Sequence, residues 1–372
     1  MKDCRAGIDN CVNLHKCVWT RDGSVNMMIL DSLLNLRELE VNAGHVAHYD
    51  AECLAKFRAL QNVTLIMPNQ TVIKVIPAWM SATGATLLSL SLTSGLITDD
   101  LLESIGPNLK ALRHLNVLGC PRVTYRGIWG IISGNTDGIM SLGLQNLSSA
   151  FNMAEFSRLC IGSTALRRLR KITLTIDALH SNNIPEWLGQ VKNLLLSAPL
   201  EIFQIYSTFA HFDAASMGAM SNFCSTLVGA HGHRLTRFSI HRMHISTESI
   251  VEICKKCPSL EELFVVAHPR ELSMLTAGFA CALKLRTLHI NYPFEEDPND
   301  YTDYKPPVLS IDEAQRIVRQ CGSALVEFGC NTRVWKINRV VSRRDTGELV
   351  VAAELSTYEN PNIPEQFLVV QT

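Results

Sequence analysis

The sequence lacks the features that mark most enzymes and most membrane proteins. It contains no Gly-x-x-x-x-Gly-Lys-Ser/Thr phosphate loop, no Gly-x-Gly-x-x-Gly motif after a strand pattern and no Gly-x-Ser-x-Gly elbow, which excludes the common nucleotide and serine-hydrolase motifs. No window approaches the roughly 20 apolar residues of a membrane span. Residues 1–13 carry charges and no apolar core of a secretory signal.

The charge balance gives no sign of a strongly charged partner. Thirty-four basic and 35 acidic residues give a net charge of −1, so we expect neither nucleic acid nor an anionic membrane as the partner. Twelve cysteines are scattered along the 372 residues rather than clustered as in a disulfide scaffold. We therefore expect an intracellular protein, cytoplasmic or nuclear, with reduced thiols.

What the sequence does contain is a recurring triplet: a large aliphatic residue, two variable residues, a second apolar residue, one variable residue and a third apolar residue. Clear copies are Leu36/Leu39/Val41, Leu87/Leu90/Leu92, Leu112/Leu115/Val117, Leu169/Ile172/Leu174, Leu235/Phe238/Ile240, Leu260/Leu263/Val265 and Leu285/Leu288/Ile290. Weaker copies begin at Leu14, Leu60, Ile139, Leu200 and Leu325. Most of the twelve starts are separated by the 20–29 residues typical of leucine-rich repeats.

The spacing predicts the fold. In a short strand the second and third apolar residues point inward, and stacked copies form a parallel sheet over one continuous core. Between the strands the spacing is helical, at 97–105, 123–132, 245–254 and 311–318. The predicted N-caps are Thr98, Thr124 and Ser246, and Ser310 with Glu313 has the spacing of a capping box. We predict an α/β leucine-rich-repeat solenoid, a horseshoe with a concave parallel sheet and convex helices.

Cys120-Pro-Arg-Val-Thr124, after Leu112-Arg-His-Leu115, resembles the cysteine-containing, ribonuclease-inhibitor-like repeat of F-box proteins. The stretches 11–23 and 358–367 are similar to fungal members of that group. In this family the repeats hold a substrate protein while an N-terminal F-box grips the adaptor of a ubiquitin ligase. The resemblance therefore implies a substrate-recognition module of an F-box-type ubiquitin ligase.

The N-terminus departs from that family because no Leu-Pro-x-Glu-type segment precedes the repeat at Leu14. Either the chain is a truncated product or its relatives never had an F-box. An open first repeat normally needs a polar cap, and residues 1–13 are too short for one, which favours truncation. The ligase adaptor is a predicted partner only if a missing F-box exists.

At the other end, 334–341 and 348–354 have strand patterns, and Asp345-Thr-Gly347 supplies a turn between them. We predict a C-terminal β-hairpin that covers the last repeat. The predicted domains are a solenoid of about twelve repeats over 1–331 and a hairpin cap with a tail over 332–372.

The variable strand residues predict where a partner binds. The early strands carry small or mixed polar residues, whereas the later ones carry Tyr206, Arg237, His241, Phe264 and His289. Because aromatic and arginine side chains dominate protein interfaces, these five are the predicted recognition patch on the concave face. The alternative is that Tyr206 and Phe264 pack under long loops.

Two long insertions flank this patch. Residues 206–234 stretch one repeat, and the acidic, aromatic stretch 291–310 extends another. Long loops often carry function, so the second could meet a basic partner or close over the concave face. A solvated loop is the alternative.

Three residue sets could suggest metal or redox chemistry. Cys254-Lys-Lys-Cys257 has redox or zinc spacing, but no second close pair completes a four-cysteine site, so core packing is predicted. The histidine pairs 45/48, 241/244 and 231/233 lack a third ligand nearby and are predicted to be loop or surface residues. We predict no catalytic, cofactor or metal residues and no enzyme activity.

The predicted function is that of a protein–protein interaction module with a protein partner on the concave face. Two versions stay open: the substrate-recognition part of a ubiquitin ligase, and a stand-alone leucine-rich-repeat scaffold or regulator.

Overall fold

The computed structural model describes residues 10–11, 13–19, 33, 35–42, 51–135, 137–176, 183–208, 214–293, 308–343 and 349–359. The chain forms two compact units. Unit 1 comprises 1–174 and 193–198, and unit 2 comprises 175–192 and 199–372. In the described ranges, no helix is long and apolar enough to cross a membrane.

Unit 1 is built on parallel strands that neighbour each other in chain order. They are β1 (Lys16–Trp19), β2 (Glu38–Asn42), β3 (Asn62–Ile66), β4 (Ser89–Thr93), β5 (His114–Cys120), β6 (Ser141–Leu147) and β7 (Lys171–Ile176), the last two residues of which belong to unit 2. The register places equivalent repeat positions side by side, so that Glu38, Asn62, Ser89 and His114 form one row.

The helices of unit 1 follow the strands. They are α1 (Gln70–Thr83), α2 (Asp99–Ile105), α3 (Tyr125–Ile132) and α4 (Met153–Ile161); α5 (Ile184–Leu195) contains residues of both units. Helices of consecutive repeats pack on each other, α2 on α3 and α3 on α4. A side chain fixes one of these contacts, because the Asp99 carboxylate accepts hydrogen bonds from the Thr124 and Gly127 amides at 2.8 and 3.0 Å.

Unit 2 continues the same pattern. Its parallel strands are β8 (Ile202–Ser207), β9 (Arg237–His241), β10 (Glu262–Val266), β11 (Thr287–Asn291) and β12 (Glu327–Cys330), again paired in chain order. Its helices are α6 (Ala214–His231), α7 (Thr247–Lys256), α8 (Leu272–Phe279) and α9 (Ile311–Gln320). α7 packs on α8, and α9 packs on α8.

Unit 2 ends in an antiparallel hairpin, β13 (Arg333–Arg343) and β14 (Leu349–Glu359). β13 pairs antiparallel with β12 and β14 with β13. The Gln315 side chain of α9 bonds the β14 backbone twice, donating to Ala353 O at 2.8 Å and accepting from Leu355 N at 2.9 Å. The predicted hairpin is confirmed and longer than predicted; its predicted turn, 345–347, lies outside the described residues. The domain boundary at 332 stays a prediction.

The aliphatic triplets fill the core. From the second repeat to the twelfth, all three members of every triplet are buried, with at most 4% of each side chain exposed. Burying one such side chain contributes about 1.5–3 kcal/mol. No single strand can bury its own triplet, so the stacking of repeats stabilises the fold. The structure is a leucine-rich-repeat solenoid, and the predicted α/β fold class is confirmed.

The predicted helix caps are also confirmed. The Thr98 hydroxyl accepts from Leu101 N at 3.3 Å, and Thr124 and Ser246 cap α3 and α7 in the same way. Ser310 and Glu313 form the reciprocal capping box. The helices at Thr98 and Thr124 begin one residue after the cap, two residues later than predicted, because the apolar positions Ile97 and Val123 precede the caps.

Candidate functional site

We call the strand side chains that alternate with the core triplets the strand face of each unit. This is the surface that leucine-rich repeats present for binding. In unit 1 its first row is Lys16, Glu38, Asn62, Ser89, His114, Ser141 and Lys171, and its second row is Val18, Glu40, Thr64, Ser91, Asn116, Gly143 and Thr173. Parallel strands lie about 4.8 Å apart, so each row is a regular series of side chains.

The unit 1 face is accessible along most of its length. His114 is exposed, and Glu38, Thr64 and Ser91 are half-buried, as are their row neighbours Glu40, Asn62, Ser89, Asn116 and Ser141. Small and mixed polar side chains are what the sequence predicted for a solvated sheet. A partner lying on this face would therefore meet polar groups that are already hydrated.

A hydrogen-bonded ladder orders the middle of the unit 1 face. Asn116 Nδ2 donates to Ser91 Oγ at 3.2 Å, and Gln145 Nε2 donates to Asn116 Oδ1 at 3.4 Å. The Asn116 side chain lies over Gly143, where an added Cβ would be 2.0 Å from Asn116 Oδ1. Gly143 is thus the residue type that this arrangement needs.

The strand face of unit 2 has a different character. Its first row is Ile202, Arg237, Glu262, Thr287 and Glu327, its second is Gln204, Ser239, Phe264, His289 and Gly329, and its third includes Tyr206 and His241. The five residues of the predicted recognition patch therefore lie on four adjacent strands, as the sequence predicted.

The aromatic rings of this patch contact one another in series. Tyr206 stacks on His241 with 4.5 Å between centroids and 7° between planes. His241 is 6.0 Å from Phe264, and Phe264 is 6.3 Å from His289. The His289 ring lies against Gly329, where an added Cβ would be 2.0 Å from its Nδ1. We call Tyr206, His241, Phe264 and His289 the aromatic row.

A row of charged residues borders the aromatic row. Arg237 forms an ion pair with Glu262, and its guanidinium carbon lies 5.8 Å from the Phe264 ring centroid. Across the antiparallel pair, Lys336 Nζ lies 2.6 Å from the Glu327 carboxylate. The Arg237 side chain is 20% exposed and that of Lys336 is 58% exposed, so this border is more accessible than the rings.

Burial controls the ionisation of the aromatic row. It lowers the pKa of His241 to about 3, assisted by electrostatic interactions with His289 and Arg237, and lowers the pKa of His289 to about 4. It also raises the pKa of Tyr206 to about 12. Ser239 Oγ and His241 Nε2 are 2.7 Å apart, and His289 Nε2 and Asn291 Oδ1 are 3.2 Å apart. The histidines are therefore neutral, hydrogen-bonded residues at physiological pH.

Four of the five members of the predicted recognition patch are buried in the structure. Tyr206, His241, Phe264 and His289 are at most 5% exposed. Side-chain alternation fixes which side of the sheet a residue occupies, but it carries no information about what covers that side. The role of the five residues in partner binding stays a prediction, and Arg237 is the most accessible of them.

The cysteine pair with redox spacing lies in the core, as predicted. Cys254 and Cys257 are buried, which raises the pKa of both thiols, that of Cys257 to about 12. Thiols this buried and this weakly acidic are poor nucleophiles.

The paired histidines differ in their exposure to solvent. His241 and His231 are buried, contrary to the surface prediction, whereas His233 is exposed. His244 is partly buried and lies 3.1 Å from the Glu271 carboxylate. The pair 45/48 lies outside the described residues. Within the described part of the chain, no three His, Cys, Asp or Glu side chains are placed to hold a metal ion.

The insertions differ from the predicted loops. Most of 206–234 is helix, because α6 occupies Ala214–His231. The sequence did not predict this helix because its own apolar residues are distributed around all of its sides, so the sequence shows no helical periodicity. Of 291–310, residues 294–307 lie outside the described residues.

Comparisons with known proteins give limited results. No protein-family model and no curated protein matches the chain. Among solved structures the chain is similar to a TLR13–ssRNA13 complex, with a TM-score of 0.39 and 14% identity, over 70% of this chain and 34% of that one. It is also similar to LegL7 of Legionella pneumophila, with a TM-score of 0.45 and 11% identity, over 90% of this chain and 92% of that one. A third similar structure is an internalin of Listeria monocytogenes, with a TM-score of 0.39 and 13% identity, over 78% of this chain and 87% of that one. The chain thus spans about a third of the TLR13 chain. The fold assignment rests on the strand register and the buried triplets.

Proposed function

We propose that this leucine-rich-repeat chain is a protein-binding module and that its partner lies across the strand face of unit 1. One observation carries the proposal: the side chains of that face are half-buried or exposed from β2 to β5 and at Ser141 of β6, whereas the aromatic row of unit 2 is at most 5% exposed. A partner can contact the first set directly. The aromatic row is instead part of the packing of unit 2.

The geometry favours binding over catalysis. Catalysis needs titratable groups that converge in one pocket, and the polar groups of unit 1 are spread along rows instead. A partner contacting β2 to β6 would span about 19 Å, four strand spacings. That length suits a protein surface or an extended protein segment.

We further propose, from the resemblance to F-box proteins with leucine-rich repeats, that the partner is a substrate of a ubiquitin ligase. The alternative is a stand-alone scaffold or regulator. Immunoprecipitation of the natural gene product followed by blotting for the ligase adaptor separates them, because only the ligase subunit retains the adaptor. The buried, protonated thiols are compatible with an intracellular location in either case.

The test of the binding face is a matched pair of double variants. Thr64→Arg with Ser91→Arg places two large cations at neighbouring register positions on the face. Thr71→Arg with Ser104→Arg makes the same changes at exposed positions of α1 and α2. Proteins captured from extract by the wild type should be reduced at least tenfold by the first pair and unchanged by the second.

A third variant tests the patch predicted from the sequence. Arg237→Gln removes the accessible cation of that patch and leaves the aromatic row in place. Loss of the captured proteins with Arg237→Gln, but not with the Thr64/Ser91 pair, would move the site to unit 2 and contradict the proposal.

A further inference from the structure

A groove lies on the helices of unit 2, along the contact between α7 and α8. Its volume is about 460 Å³, and its lining includes Glu248, Val251 and Lys255 of α7 and Met274 of α8. Gly278 of α8 lies against Val251, where an added Cβ would be 2.8 Å from Val251 Cγ2. The groove therefore follows a close contact between two helices of the same unit.

The apolar part of this groove is accessible to solvent. Met274 is 58% exposed, and Val251 is half-buried. A second surface that covers these side chains would remove apolar area from water, which favours association.

Two charged residues lie on either side of Val251 along the groove. Glu248 is in the first turn of α7 and Lys255 is in its last turn, and both are exposed. They are seven residues apart, which places them on the same side of the helix and about 10.5 Å apart along its axis. That distance is too long for the two side chains to pair with each other.

The other two charges of α7 neutralise each other. Lys256 Nζ lies 2.6 Å from Glu252 Oε1, and the Ser225 hydroxyl of α6 donates to the same oxygen at 3.1 Å. Within the described part of the chain, Glu248 and Lys255 form no ion pair. The groove therefore presents one unpaired negative charge and one unpaired positive charge, separated by apolar residues.

This arrangement of charges is complementary to itself. If α7 of a second copy lies antiparallel to α7 of the first, a twofold axis between positions 251 and 252 brings Glu248 of each copy opposite Lys255 of the other. Val251 of each copy then lies next to the axis, and the neutralised Glu252 adds no net charge there. A twofold contact of one surface with itself is the commonest interface of homodimers.

We propose that unit 2 binds a second copy of this chain through α7, in an antiparallel contact that pairs Glu248 of each copy with Lys255 of the other. A contact of this kind is smaller than the roughly 1,600 Å² of a standard stable interface, so the dimer dissociates on dilution. The contact does not use the strand face of unit 1, and each dimer therefore carries two copies of the proposed binding face.

The test measures the dissociation constant of the full chain by sedimentation equilibrium over a concentration series. E248K and K255E should each weaken dimerisation at least about tenfold, because each variant places like charges opposite each other twice in the homodimer. An equimolar mixture of E248K and K255E should dimerise within about threefold of the wild type, because the two variants present only opposite charges to each other.

The double variant E248K/K255E exchanges the two charges and should also dimerise within about threefold of the wild type, since both ion pairs re-form in the opposite sense. A higher salt concentration should weaken the wild-type dimer, because exposed ion pairs are screened. M274S should weaken dimerisation without changing any charge, because it removes exposed apolar surface from the contact.

The matched controls are E261K and K284E, which make the same charge reversals at exposed positions of unit 2 outside the groove. Both should dimerise as the wild type does, and circular dichroism melting verifies that every variant is folded. A wild type that stays monomeric throughout the series would overturn the proposal. So would a mixture of E248K and K255E that dimerises no better than either variant alone, which is the result expected if the groove binds a different protein.

Discussion

The buried histidines of the aromatic row should make the protein sensitive to mild acid. The pKa of His241 is about 3 and that of His289 about 4 in the folded protein, both below the ordinary 6.5. The unfolded chain therefore takes up these protons first as the pH falls. Their contribution to stability is complete above pH 6.5 and is lost as the pH falls toward the folded-state values.

The size of the effect follows from the pH interval. At pH 5 the unfolded histidines are 1.5 pH units below 6.5 and protonated, while both folded histidines are still neutral. At about 1.4 kcal/mol per unit, each histidine costs about 2 kcal/mol, and the pair costs about 4 kcal/mol. Carboxylates contribute little in this interval because their ordinary pKa lies below 5.

Urea unfolding followed by far-UV circular dichroism at pH 7.5 and 5.0 measures this loss. The variant S239A/H241F/H289Q removes both titrating rings, keeps the stack on Tyr206 and leaves no Ser239 hydroxyl without a partner. It should lose about 4 kcal/mol less between the two pH values than the wild type does. H233Q, at an exposed histidine, should behave as the wild type. Equal pH dependence in the wild type and the triple variant would refute the reasoning.

Three further predictions concern packing. Phe264→Ala should lower the free energy of unfolding by about 3–5 kcal/mol, because a fully buried ring is lost; a loss below 1 kcal/mol in urea unfolding would contradict the burial. Asp99→Ala should cost about 2 kcal/mol, because two backbone donors lose their acceptor, whereas Asp100→Ala should cost less than 0.5 kcal/mol in the same assay. Gly143→Ala should displace the Asn116 side chain, and a double-mutant cycle with Asn116→Ala should show a coupling of about 1 kcal/mol; additive effects would show that the two residues do not contact.

Much of the architecture was predictable because local sequence determines it. The three apolar residues of each triplet keep a fixed spacing, so Leu90, Leu115, Leu263 and Leu288 could be placed in the core, and each is at most 1% exposed. Helix caps are also local, since Ser310 needs only Glu313 three residues later. These features depend on alternation and spacing and not on distant parts of the chain.

The candidate site was less predictable because it depends on contacts between repeats. The spacing placed Phe264 and His289 correctly on one face but could not reveal that this face is buried.

The reversal of chain direction at Asn331 limits how this protein can evolve. Asn331 has a left-handed backbone, with φ of 51°, and its side chain accepts a hydrogen bond from Tyr292 N at 2.8 Å. Beyond it, β13 runs antiparallel and occupies the edge of β12 on which another parallel strand would pair. Gene duplication could therefore lengthen the array only by adding repeats before β12, and the hairpin would remain its last element.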